Sequence, residues 1–191
     1  MPDTYPIHSL LTPVFKTIKT RRVTRKFIDE PVSRAHILRI LEAARWAPSG
    51  GMRRLNNYIV VRKTKNLHKI RAASPGILSY PKAIIVICID MSKTNTIGFK
   101  DHNQGSIYVD LGTATENMLL TAEELKIGAC PVMSFHQSAV QLILKLPPTL
   151  EPAMMIIFGY PALKESRNQL HLKLPALDEV IHWEHFRGKE N

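Results

Sequence analysis

The seven residues from Ala83 to Ile89 are apolar without interruption, and five of them are β-branched. Such side chains fit a pleated surface and crowd a helix, so the run predicts a strand. No polar alternation marks a wet face, which places the strand in the middle of a sheet with both faces buried. The run is also far short of the ~20 apolar residues needed to cross a bilayer. A chain built around such a strand has to supply neighbours for both of its edges.

Other periodicities supply them. Tyr58–Val61 predicts a second buried strand, and Ala129–Met133 and Met154–Phe158 are shorter strand candidates. Leu10, Leu11, Val14 and Ile18 predict a short first helix whose last turn carries basic residues. Ser33 is placed to cap a helix over 34–46, with Ile37, Leu38, Ile40, Leu41 and Ala44 on one face and Pro48 as its stop. Residues 64–72 predict a short helix and 138–145 another. Between them, Val109, Leu111, Ala114, Met118, Leu119, Ala122 and Leu125 recur at helical spacing over 106–126, with Gly128 as the terminator. After Pro161 the chain turns polar, so residues 162–191 read as an extended tail lying on the body or on a partner subunit.

Length and composition limit the alternatives. A chain of 191 residues that is 45% hydrophobic supports one substantial core, so 1–191 reads as a single domain. The net charge of +10 favours anionic ligands, although the cations are scattered apart from a cluster at 16–26. Cys88 and Cys130 lie in apolar surroundings without a CxxC spacing, which suits buried thiols in a reducing cytoplasm. No secretory signal and no spanning segment are seen, so the reading is cytoplasmic, with no membrane partner. GxGxxG, GxxxxGK[ST], HExxH and GxSxG are all missing, which removes most of the case for a Rossmann dehydrogenase, a P-loop NTPase, a zinc hydrolase or an α/β-hydrolase. His182 and His185 are a lone pair in the polar tail, read as solvated surface, so no metal site is expected.

Two stretches carry chemistry. Arg21-Arg22-Val23-Thr24-Arg25-Lys26-Phe27 places four cations in seven residues, and Ala47-Pro48-Ser49-Gly50-Gly51 follows after an amphipathic helix. Guanidinium forks grip phosphates and carbonyl-rich rings in a bidentate way, and a glycine turn lets backbone N–H groups approach a ligand. Further on come Asp110-Leu111-Gly112-Thr113-Ala114, Gly128-Ala129-Cys130-Pro131-Val132-Met133-Ser134, Phe158-Gly159-Tyr160-Pro161 and Lys173-Leu174-Pro175.

In this order and spacing, the set resembles the nitroreductase family of FMN-dependent oxidoreductases, over most of the chain from Thr17 to Trp183. The resemblance implies an α+β fold: a three-layer α/β/α sandwich around a mixed, mainly antiparallel sheet, assembled as a homodimer with FMN at the interface. It implies that Arg21 and Arg22, with Val23 between them and Arg25, meet the FMN phosphate and ribityl chain. Arg25 would also reach the N1/O2 edge of the ring, where a cation stabilises the reduced flavin. Pro48, Ser49, Gly50 and Met52 would close over the cofactor from the other subunit. The backbone of Pro131, Val132, Met133 and Ser134 would face the ring, and Lys173, with Arg167 in reserve, would meet the phosphate.

NADH or NADPH is then the electron donor, and a nitroaromatic, quinone or similar small molecule the acceptor. The flavin carries the chemistry, so no catalytic side chain is named. The chain departs from the family pattern at Met52–Asn56, where Asn and then Gln-Pro-Trp are usual. Arg54 there becomes a candidate substrate-binding cation, which keeps other flavoenzyme reactions open: reductive dehalogenation, enone reduction or flavin consumption. A basic nucleic-acid-binding protein is a more distant alternative, with only Phe27 as an aromatic companion to the cluster.

Overall fold

The computed structural model describes residues 12–94, 104–162 and 174–188. Helix α1 spans Pro13–Thr20 and α2 spans Arg34–Arg45; strand β1, Asn56–Val61, is followed by α3, Thr64–Ala72. Strand β2 is Ala83–Asp90, α4 Gln104–Glu124, β3 Gly128–Val132, α5 Gln137–Leu144 and β4 Leu150–Gly159, with a single-turn α6 at Leu177–Val180. Ser33 Oγ accepts the His36 N–H at 3.1 Å, capping α2 where the sequence places its start. No helix among the described residues is long and apolar enough to cross a membrane.

The strands form one antiparallel sheet in the order β1-β2-β4-β3. Its one parallel link among the described residues is the bridge between Val23 and Ala129, which makes the assembly mixed. Strand β2 is central as expected, and alternate residues serve the two faces. Ala83, Ile85 and Ile87, with Ile156 and Phe158 of β4, pack under α2 and α4. Ile84, Val86 and Cys88, with Met155 and Ile157, pack under α3 and α5 on the other side. Two helical layers thus cover the sheet, giving the expected sandwich. Burial pushes the Cys88 thiol up to about 11, in keeping with a thiol enclosed by hydrocarbon.

Strand β4 begins earlier than its apolar run suggests, at Leu150. Its first residues pair only with β2, beside a register shift between Ile87 and Cys88, and there Pro152 can lack an N–H without breaking a ladder.

Three further expectations need correction. Only Lys16 and Lys19 of the basic cluster lie on the first helix: α1 ends at Thr20, and Arg21 already has an extended ψ of 131°, so the four cations at 21–26 are off it. The reason is tertiary, since Val23 bridges Ala129, the Thr24 N–H donates to the Ala129 carbonyl at 3.0 Å, and Phe27 bridges Pro161. Gly128 is not the stop of α4. The left-handed residue there is Lys126 at φ 60°, while Gly128 lies within β3 opposite Gly159. Val109 is 63% exposed, so the buried stripe of α4 runs through Ile107, Leu111, Ala114, Met118 and Ala122 instead. Leu10 and Leu11 lie outside the described residues.

The Gly128–Gly159 pair explains how the arginine segment is seated. A Cβ on Gly128 would lie 2.6 Å from Thr24 Cγ2, and one on Gly159 would lie 2.7 Å from Phe27 Cγ. The two glycines leave a shallow trough across paired strands, and residues 24–27 lie in it.

Candidate functional site

Arg21, Arg22, Val23 and Arg25 belong to this extended segment beside β3. Arg21 pairs with Glu116 of α4 at 3.5 Å, and Arg22 donates to the carbonyls of Lys19 and Arg21 at 2.7 and 2.8 Å. Arg25 and Val23 are exposed, and at the far end of the segment Lys82 holds the Asp29 carboxyl below its usual range. Pro131–Val132 continue β3 and Met133–Ser134 follow it, two to five residues beyond Ala129, which is about 7–17 Å along an extended chain. Val132 is buried and Met133 and Ser134 are exposed. The loop before β2 braces this end: the Gly76 N–H donates to the Ser134 carbonyl at 3.1 Å, and a Cβ on Gly76 would lie 2.8 Å from Val132 Cγ1. The arginine segment and the 131–134 stretch therefore share one sheet edge.

Pro48, Ser49, Gly50, Met52 and Arg54 are elsewhere. Their turn leaves α2 and enters β1, at the opposite edge of the sheet. Three inter-strand spacings separate the edges, roughly 14 Å. The turn is anchored on α4 through Asp110, whose carboxylate accepts the Ser49 hydroxyl at 2.9 Å and the Gly50 N–H at 2.9 Å. Glu116, which holds Arg21, is six residues along the same helix, about 9 Å and a third of a turn away.

A cleft of about 330 Å³ opens under the turn, floored by Ala44, Ala47 and Ala114 and walled by Trp46, Arg54, Asn56 and Tyr58. Burial raises the Tyr58 hydroxyl above its ordinary value, and the Asn56 hydrogen bond and the Arg54 charge pull it back. Arg54 turns its guanidinium toward the Arg45 carbonyl at the end of α2, satisfying one of the acceptors a helix end leaves open. Arg167 and Lys173 lie outside the described residues. No group of three or more potential metal-binding side chains occurs among those described.

A family model described as the nitroreductase family matches residues 18–83 and 78–160. The chain belongs to the nitroreductase family. Among its relatives is a protein of Methanothermobacter thermautotrophicus that carries the provisional name NADH dehydrogenase/NAD(P)H nitroreductase, 31% identical over 155 residues and 78% of each chain. An FMN reductase [NAD(P)H] of Bacillus subtilis is 25% identical over 195 residues, 93% of this chain and 76% of that one. The crystal structure of a nitroreductase family protein from Clostridium difficile superposes with a TM-score of 0.77 at 27% identity, covering 90% of this chain and 98% of that one.

Within the family pattern, the departure at 52–56 now has a structural account. Leu55 is 1% exposed and packs with Ile89 and Ile107, so it fills a small core of its own. Arg53 is turned inward toward Asp110. Met52 and Arg54 both adopt left-handed backbone, at φ 54° and 51°, beside Gly51 at φ 60°. Such a conformation costs an ordinary residue about 1–2 kcal/mol, and asparagine tolerates it better. Met52 is 82% exposed and gives up little packing when replaced. Met52→Asn is therefore expected to raise stability by about 0.5–1 kcal/mol, read as a higher midpoint in thermal unfolding. An unchanged or lower midpoint would show that the methionine side chain has a role in the fold.

Asp110, Arg53 and Gly76 are not signalled by the sequence as site residues. Asp110 alone offers a hint, as an acidic residue at a position of α4 that the helical period assigns to the buried side.

Proposed function

We propose that the chain is an FMN-dependent oxidoreductase that takes reducing equivalents from NADH or NADPH and passes them to a small-molecule acceptor, a nitroaromatic, a quinone or a similar compound. Family membership and the FMN reductase named among its relatives support the cofactor assignment. The observation that carries the reading is the exposed arginine segment laid along β3, in line with Pro131–Ser134 on the same edge. That strip suits an elongated ligand with an anionic end and a flat polar ring. Arg21, Arg22 and Arg25 supply the cations, and the backbone at 131–134 the hydrogen-bonding edge. Lys173 or Arg167 adds a cation to meet the phosphate in this reading.

When bound, FMN would supply the redox chemistry, hydride transfer through N5 in a ping-pong cycle. The chain's own part is to hold and orient. Arg25 places positive charge where a reduced ring gathers negative charge, and the brace from Gly76 keeps the Ser134 carbonyl turned inward.

The turn Pro48–Gly50 completes the site from a second copy in this reading, because within one chain it lies at the far edge of the sheet. Further support for a homodimer comes from α4, whose outer face carries the exposed Tyr108 and Val109 between Gly105 and Gly112, where an added Cβ would meet nothing. The tail also leaves Leu174, Leu177, Val180 and Phe186 exposed, a pattern that suits packing on a partner.

The test is spectroscopic. Purified protein should be yellow, or become so with FMN, and should bleach on adding NADH or NADPH without air. Arg21→Ala and Arg25→Ala should each weaken FMN binding by about tenfold or more, the loss of a charge-assisted hydrogen bond of about 1.5–3 kcal/mol. A chain that takes up no FMN, or full affinity in both variants, defeats the assignment.

A further inference from the structure

The turn Pro48–Gly50 has almost no free polar groups of its own. The Ser49 hydroxyl gives its single proton to Asp110 and accepts the Arg54 N–H at 3.2 Å. The Ser49 carbonyl accepts the Met52 N–H at 3.0 Å, and the Pro48 carbonyl lies 3.2 Å from the Thr113 hydroxyl, sharing its proton with the Asp110 carbonyl at 3.1 Å. Gly50 is held at both ends: its N–H by Asp110 at 2.9 Å and its carbonyl by Arg53 Nε at 2.8 Å.

Arg53 and Asp110 face each other at 3.9 Å, with both side chains 6% exposed, and Arg53 also donates to Ser106 Oγ at 2.7 Å. Asn56 Nδ2 donates to the Asp110 carbonyl at 3.2 Å. A Cβ on Gly50 would lie 3.2 Å from the Arg53 guanidinium, so the glycine is part of the fit. Hydrogen-bonded charges buried this deeply are strongly geometric, because removing either partner leaves the other without solvent or counter-charge.

We propose that Asp110 and Arg53 are positioning residues: a buried ion pair that fixes the Gly50 peptide, and with it the shape in which the turn meets the flavin. The inference rests on the flavin reading above. Both act through the turn and not on the cofactor in this proposal. The turn then offers the ligand the Pro48 ring and whatever backbone N–H groups the lock leaves over, and the Ser49 hydroxyl acts as a strut.

The experiment uses the full chain with FMN as the probe, comparing wild type with Asp110→Asn, Arg53→Met and the double variant. Two readouts are taken, FMN affinity and amide hydrogen exchange in the peptide spanning 46–56. Asp110→Asn should weaken FMN binding at least tenfold and speed exchange in that peptide at least tenfold, leaving exchange in β2 unchanged. The double variant should lose less than the product of the single losses, since both act through one pair. Ser49→Ala keeps the ion pair and removes one strut, so it serves if Asp110→Asn does not fold, with a threefold or larger change in the same direction expected.

Wild-type exchange in Asp110→Asn, or in Ser49→Ala when that variant stands in, overturns the lock. Faster exchange with unchanged FMN affinity overturns its link to the ligand. A wild-type chain that binds no FMN removes the flavin reading itself, and the exchange comparison then still decides whether the pair holds the turn.

Discussion

Phe158→Ala should destabilise the fold by about 3–5 kcal/mol, the usual cost of deleting a large aromatic side chain from a packed interior. Phe158 is fully buried in β4, in the cluster that joins the sheet to α2 and α4. Ala83, its partner across the strand pair, and Ile85, Met118 and Ile156 of the same cluster are equally enclosed, so the void has no flexible rim that could collapse into it. Set against a total stability of about 5–15 kcal/mol, such a loss leaves a marginal protein. Chemical denaturation should show the midpoint falling while the slope stays the same, because the area exposed on unfolding hardly changes. A loss below about 1 kcal/mol would mean that the helices close onto the sheet and that the packing between these layers is looser than described.

Gly159→Ala is the second large effect, expected at about 1–3 kcal/mol, and its cause is the opposite one. The new methyl group would sit 2.7–2.8 Å from Phe27 Cγ and Cβ, closer than real side-chain contacts allow. Gly159 has no positive φ, so backbone strain plays no part and overpacking alone accounts for the cost. Relief is possible only by moving Phe27, which bridges Pro161 and leads back through Lys26 and Arg25. The same substitution should therefore weaken FMN binding as well as lower the thermal midpoint, by about 2–4 °C per kcal/mol in a chain of this size. Trimming the obstacle with Phe27→Leu in the Gly159→Ala background should recover part of both losses. Wild-type stability in Gly159→Ala would show that the arginine segment does not rest in the glycine trough.

How far these features can be read from sequence depends on the range of the interactions behind them. The Ser33 cap and the β-branched run in β2 are local, and they appear in the structure where the sequence places them; the apolar face of α2 is buried at Ile37, Ile40 and Ala44, while Leu38 is left 46% exposed. Residues 21–28 could not be read in the same way. Their helix-compatible composition is overridden by backbone bonds to Ala129 and Tyr160, more than a hundred positions away. The role of Gly128 is hidden for a related reason: a glycine that ends a helix and a glycine that admits a neighbouring chain look alike until the neighbour is known. Val109 reads as core because it falls in a helical stripe, yet periodicity cannot tell a face covered by the same chain from one left bare. The motif residues of the site were visible as pieces. What sequence could not supply was their distribution over two edges of the sheet, or the carboxylate of Asp110 that organises one of them.

That distribution has a consequence for pairs of defective subunits. If, as proposed, each site is assembled from one copy's arginine segment and the other copy's turn, a mixed dimer of an Arg25 variant and an Asp110 variant would gather both defects into one site and leave the other whole. Two preparations weakened in FMN binding, mixed and allowed to exchange subunits, would regain full affinity at one of the two flavin sites in each hybrid. Lesions in the two segments would complement one another between chains, whereas two lesions within the same segment would not.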